Sequence, residues 1–314
     1  MTTEPAGGGG GGGDGSRPAG ERGDRLRRIR ARLRRWFLII GGTYAAVCLV
    51  LVGCQSRLIY FPTHGAGMTP ADLNLRYERA ALATSDGVTI VGWYVPAESP
   101  RGTALIFHGN AGNLSDVLLD FSQWRRLGFN VFGVDYRGFG ESEGSPSERG
   151  LYLDAEAAWN YVVETRGEEP QRVVIFGRSL GGAVAIDLAS RHEPGALVVE
   201  STFTTLPDVG AVHYPLLPVR LLARHRYESV RKVPGIRCPK LFLHGRDDEL
   251  IPIRLGRRLF EAAGEPKAFI ETGGDHVTAG AFYNEETTEE VSRWLGRVLR
   301  DGAPDAVKDG EEDR

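Results

Sequence analysis

The sequence predicts an α/β fold: a mostly parallel central sheet, helices on both faces, and a small cap inserted late in the chain. Three observations carry this. From about Glu78 short β-rich runs alternate with amphipathic stretches, the pattern of strands joined by crossover helices. Gly177-Arg178-Ser179-Leu180-Gly181 stands between an apolar run and a small-residue helical stretch. The segment from Phe203 to Pro239 fits no strand and reads as the cap.

Ahead of that pattern lie a tail and a membrane segment. Gly7 to Gly13 are seven consecutive glycines in a stretch almost without bulky apolar side chains, so residues 1–35 are expected as a disordered Gly/Arg-rich cytoplasmic tail. The end of this tail holds Arg22, Arg25, Arg27, Arg28, Arg30, Arg32, Arg34 and Arg35. Trp36 to Cys54 is then uncharged, and its 19 residues would span roughly 28 Å as a helix, near the thickness of a bilayer. Arginines at one end and no amphipathic period favour a spanning helix over a buried core helix, with the positive end cytoplasmic and residues 55–300 outside. Leu51-Val52-Gly53-Cys54 also resembles a lipobox, which would make Cys54 the lipidated N-terminus of a bacterial lipoprotein. The 35 residues ahead of the apolar run are longer than the charged start of most signal peptides, so residues 36–54 are read as an uncleaved signal anchor.

The elements of the domain follow in order. Val88 to Val95, after the Asp86-Gly87 turn, is an early antiparallel strand, and Ala104 to Phe107 a buried one. Leu114 to Leu127 is a helix, Val131 to Asp135 a strand, and Leu151 to Thr165 a helix. Val173 to Phe176 leads through the serine turn into the helix Ala183 to Arg191. Strands Ala196 to Glu200, Lys240 to His244 and Ala268 to Glu271, with helices Ile253 to Ala263 and Glu286 to Leu299, complete the pattern around a cap at 203–239. Residues 301–314 are an acidic, flexible end.

The serine turn carries the chemistry. A strand-G-x-S-x-G-helix arrangement is a nucleophile elbow: glycines two residues either side relieve crowding around a serine held on a sharp turn. A serine hydroxyl needs a base within reach and an acid to orient that base. In the α/β-hydrolase fold the chain order is Ser, acid, His, and His276 is the only histidine after the strand Lys240 to His244. The acid should follow that strand, where Asp247, Asp248 and Glu249 stand in a row and composition does not choose among them. One oxyanion donor is the backbone N–H of Leu180, just after the nucleophile.

Further motifs appear in order: Arg57-Leu58-Ile59-Tyr60-Phe61-Pro62, His108-Gly109-Asn110-Ala111-Gly112-Asn113, Asp135-Tyr136-Arg137-Gly138-Phe139-Gly140, and Glu200-Ser201-Thr202-Phe203-Thr204. With the serine turn and the stretch from His244 to Pro252, they resemble the Bem46 group of α/β-hydrolase domain-containing proteins over about Arg57 to Leu299. Better-known members of that group include protein depalmitoylases and lysophospholipid lipases. The resemblance implies Asp248 as the acid, three residues after the glycine of His-Gly, and Asn110 as the second oxyanion donor. His108 has no place in the triad order and is read as structural, and Arg137 as packing more than headgroup binding. One position departs from the pattern: Asp275 stands before His276, where the family commonly has glycine.

Composition bounds the alternatives. A net charge of −3 gives no basic field for nucleic acid, and no zinc motif or dinucleotide loop occurs, so neither metal nor cofactor is expected. Of three cysteines only Cys238 lies in the domain, which excludes a disulfide framework there. The expected activity is cleavage of an ester or thioester acyl bond in a small or lipid-like substrate. An aminopeptidase or amidase using the same triad, and a non-catalytic envelope binding protein, are the competing readings.

Overall fold

The computed structural model describes residues 8, 19–65, 67–278, 280, 282 and 284–301. Most of the expected tail 1–35 up to residue 18, and the end 302–314, lie outside the described residues. The chain divides into two units, Met1–Gly53 and Cys54–Arg314.

The first unit is built on helix α1 (Ala19–Gly53). Its stretch Arg27–Gly53 is long and apolar enough to cross a membrane. Residues 19–35, expected as disordered, are instead the first turns of this helix. Arginine, leucine and alanine are strong helix formers, and once the apolar stretch has nucleated a helix, extending it backward adds a hydrogen bond per residue.

The second unit centres on an eight-stranded sheet. Its strands are β1 (Glu78–Ala83), β2 (Thr89–Val95), β3 (Thr103–Phe107), β4 (Asn130–Asp135), β5 (Val173–Arg178), β6 (Ala196–Glu200), β7 (Lys240–Gly245) and β8 (Lys267–Thr272). Their spatial order is β1-β2-β4-β3-β5-β6-β7-β8. β1 pairs antiparallel with β2 and β2 with β4; the remaining neighbours are parallel. The alanine-rich edge strand β1 is an addition to the strands expected from the sequence. Its Glu-Arg-Ala-Ala-Leu-Ala lacks the β-branched residues by which strands are read.

Side chains that alternate along each strand feed two separate cores. Leu105, Phe107, Ile175, Leu197 and Phe242 pack on one face with the helices α3 (Glu148–Asn160), α4 (Leu180–Ala189) and α6 (Ile253–Ala262). Ala104, Ile106, Val174, Phe176, Leu241 and Leu243 pack on the other with α2 (Leu118–Arg126) and α7 (Glu285–Asp301). Both faces are thus covered, which is why the central strands read as continuous apolar runs. Between β6 and β7 the segment expected as a cap holds α5 (Leu206–His213) and two four-residue helices, Val219–Leu222 and Ser229–Lys232, and no strand. Phe61 and Pro62 pair in parallel with Ala111 and Gly112, a two-residue ladder beside the main sheet.

Candidate active site

Strand β5 ends at Arg178 and α4 begins at Leu180, leaving Ser179 alone on the turn at φ +55°, ψ −119°. That backbone is strained for a non-glycine residue, by about 1–3 kcal/mol, and surrounding contacts hold it. Ser179 N–H donates to the Glu200 carbonyl at 2.8 Å, and its own carbonyl accepts from Thr202 Oγ1 at 2.9 Å. The flanking glycines are needed for space. A Cβ on Gly177 would stand 2.2 Å from the Gly181 carbonyl oxygen, and one on Gly181 would stand 2.1 Å from that of Phe107. No backbone could give way by that much without opening the turn.

The loops after β7 and β8 bring two distant residues to this serine. His276 Nε2 lies 3.1 Å from Ser179 Oγ, and its Nδ1 lies 2.8 Å from Asp248 Oδ2. The structure also separates the three consecutive carboxylates: Asp248 is buried, whereas Asp247 and Glu249 are exposed. Asp248 Oδ1 accepts the Ile251 N–H at 2.8 Å, which fixes the carboxylate plane. His244 stands beside the same carboxylate and was not singled out from the sequence. Its Nε2 donates to the Ile251 carbonyl at 2.7 Å and lies 3.5 Å from Asp248 Oδ2, and burial lowers its pKa. Its only sequence signal was its place at the end of a buried strand.

Asp275, the departure from the family pattern, organises the histidine loop. Its Oδ1 accepts from Val277 N, Thr278 N and Thr278 Oγ1 at 2.8–2.9 Å, closing a turn around His276. Those hydrogen bonds from Thr278 and Val277 hold the Asp275 carboxyl below its ordinary range.

The loop after β3 runs beside the serine, where a Cβ on Gly109 would lie 3.9 Å from Ser179 Cβ. Leu180 opens α4, where backbone N–H groups have no partner within the helix. His108 is buried, with its ring 4.4 Å from that of Tyr136, and burial pushes its pKa down to about 4. Its Nδ1 donates to the Gly109 carbonyl at 2.9 Å. Arg137 donates to Asp86 at 2.8 and 3.0 Å and to Asp154 at 2.9 Å, so its guanidinium ties the loop after β4 to α3. Arg178 pairs with two buried carboxylates, Glu200 and Asp120, and braces the elbow from beneath. Among the described residues no group of three or more His, Cys, Asp or Glu side chains is placed to hold a metal ion.

A family model described as serine aminopeptidase, S33, matches residues 98–228. The chain is 37% identical over 238 residues to a protein of Mycobacterium tuberculosis, Rv2307c, covering 75% of this chain and 85% of that one. It is 35% identical over 243 residues to protein bem46 of Schizosaccharomyces pombe, covering 71% and 80%. Among solved structures, esterase Pf2001 of Pyrococcus furiosus superposes with a TM-score of 0.65 at 23% identity, over 76% of this chain and 99% of that one, a likeness of fold.

Proposed function

The chain belongs to the Bem46-like α/β-hydrolases, and on that premise we propose that it is a membrane-tethered serine hydrolase that cleaves an ester or thioester acyl bond. The observation that carries this reading is the continuous relay from Ser179 Oγ to His276 at 3.1 Å and from His276 to Asp248 at 2.8 Å. In this reading Ser179 Oγ attacks the acyl carbonyl while His276 Nε2 takes its proton. Asp248 accepts from Nδ1–H and stabilises the imidazolium that forms. The N–H groups of Leu180 and Asn110 bind the oxyanion, each worth a few kcal/mol. His276 returns the proton to the leaving group, and water, activated by the same imidazole, then releases the acid from Ser179.

The substrate reading rests on the cap and the anchor. Leu216 and Leu221 of the cap are 89% and 82% exposed, and Leu250 and Val277, in the loops carrying Asp248 and His276, are exposed as well. Exposed apolar side chains on the cap and on the loops carrying Asp248 and His276, together with a spanning helix, favour a lipid-like acyl chain. The anchor reading places the domain on the non-cytoplasmic side. A second reading, amide cleavage, is favoured by the serine aminopeptidase family model over residues 98–228.

A fluorophosphonate probe tests the central claim. Labelling of wild type and none of Ser179→Ala is expected, whereas no labelling of folded wild type would favour the non-catalytic binding protein. Turnover of p-nitrophenyl esters separates the two enzymatic readings: aminoacyl amides turned over with no ester hydrolysis would select the amidase.

A further inference from the structure

We propose that residues 55–62, which follow the apolar helix directly, are a strap that aims the oxyanion donor at Asn110, so that the start of the domain is part of the catalytic apparatus and not a linker. This rests on the reading of Asn110 N–H as an oxyanion donor.

The strap holds Asn110 at two points. Asn110 Nδ2 donates to the Ile59 carbonyl at 2.6 Å, and the Asn110 carbonyl accepts the Phe61 N–H at 2.9 Å. The grip continues beyond it: Thr63 N–H donates to the Gly112 carbonyl at 2.9 Å, and Asn113 Nδ2 donates to the carbonyl of Gly65 at 2.9 Å. On its other side the strap is fastened to the cap. Gln55 donates from Nε2 to the Leu222 carbonyl and accepts from Arg224 N–H, each at 2.8 Å, and Tyr60 and Tyr227 share a buried hydroxyl pair at 2.7 Å.

Peptide geometry explains why this matters. The donor N–H of Asn110 lies in the planar peptide that also carries the Gly109 carbonyl, and the two groups point in opposite directions. His108 Nδ1 donates to that carbonyl at 2.9 Å, which holds one side of the plane. Gly109 itself offers no side chain to resist rotation, so the other side is held through Asn110, by its side chain on Ile59 and its carbonyl on Phe61. Without the strap only the His108 contact orients the plane, and a donor that must reorganise loses much of its value to the transition state.

Two variants test this in the full-length protein. Asn110→Ala keeps the backbone donor and removes the side-chain hold; Phe61→Pro removes the N–H that the Asn110 carbonyl accepts, and Tyr60 before it, at φ −104° and ψ 128°, already has a backbone that suits a following proline. Active sites are counted with a fluorophosphonate, so kcat is expressed per competent serine whatever fraction folds. Expected for each variant is a fall in kcat per site of about 10- to 100-fold with KM within about threefold, and an equal rise in the Ki of a trifluoromethyl ketone, whose adduct places an oxyanion in the hole. The double variant should lose little more than either single one, since both release the same residue, Asn110. Unchanged kcat per site, or an unchanged Ki, in variants that bind the probe overturns the strap. Wild type that fails to react with the fluorophosphonate or bind the ketone overturns the proposed function instead.

Discussion

Asp248 Oδ2 lies 2.8 Å from His276 Nδ1, while the other oxygen of that carboxylate accepts the Ile251 N–H at 2.8 Å. An ionised carboxylate only accepts, so this contact holds the proton of His276 on Nδ1, and in the proposed mechanism Nε2 is then free to take one from Ser179. Asp248→Asn keeps the shape and lets an amide N–H compete for that position. The expected result is a kcat about 10³- to 10⁴-fold lower with the melting temperature nearly unchanged, whereas exposed Asp247→Asn stays within about twofold. Steady-state ester hydrolysis by the two variants, side by side, checks the assignment; equal loss in both would refute it.

Gly177 offers a steric prediction. Its missing Cβ would fall 2.2 Å from the Gly181 carbonyl oxygen and 2.8 Å from Ala185 Cβ, contacts that only a displaced turn can relieve. Gly177→Ala is expected to lower kcat/KM by about 10²-fold or more, because an error near 1 Å in nucleophile placement costs that much. Gly273→Ala, with nothing within 4 Å of its added methyl, should keep its stability within about 0.5 kcal/mol. Thermal melts and probe-labelling rates for both decide the matter.

Burial of His108 predicts a pH dependence of stability. Its pKa falls from 6.5 to about 4, so between these values the unfolded chain binds a proton there that the folded chain does not. The contribution of His108 is therefore complete above about 6.5 and is lost as pH falls through about 4. Asp135 and Asp120, raised by burial to about 7 and about 6, act in the opposite sense, their contributions being lost as pH rises. The histidine is isolated by comparing wild type with His108→Gln in urea at pH 7 and pH 4.5. Wild type should lose roughly 2–3 kcal/mol more than the variant across that interval; parallel losses would contradict the assignment.

The exposed cap leucines bear on acyl-chain length. If the proposed substrate reading holds and the cap leucines contact the acyl chain, Leu216→Asp combined with Leu221→Asp should lower kcat/KM for dodecanoyl esters about tenfold and leave acetyl esters unchanged, because only a long chain buries enough apolar surface to reach them. A chain-length series measured below micelle formation tests this. Equal effects on short and long esters would assign the two leucines to packing.

Much of the architecture was legible because buried strands and a strand-turn-helix serine leave local signatures: Val173 to Phe176 and the glycines around Ser179 are readable from neighbours a few residues away. The edge strand Glu78–Ala83 was not, since its alanines carry no strand preference and its place is set by pairing with β2. The helical start of α1 was missed for a related reason: the composition of residues 19–35 suits a solvated tail, and only continuity with the apolar stretch makes it helix.

The sequence by itself determined the alternation of elements, the elbow at Ser179 and the nomination of His276, all properties of short-range pattern and chain order. The residue pattern left Asp247, Asp248 and Glu249 open and the family resemblance pointed to Asp248; the tertiary structure shows that Asp248 meets the imidazole while Asp247 and Glu249 are exposed, that His244 stands beside that carboxylate, and that Ile59 and Phe61 grip Asn110. The contacts of Asp248 with the imidazole and of Ile59 with Asn110 join residues 28 and 51 positions apart along the chain. Which of several like groups is buried and paired depends on the three-dimensional crossing of loops, and composition or periodicity carries no record of that crossing.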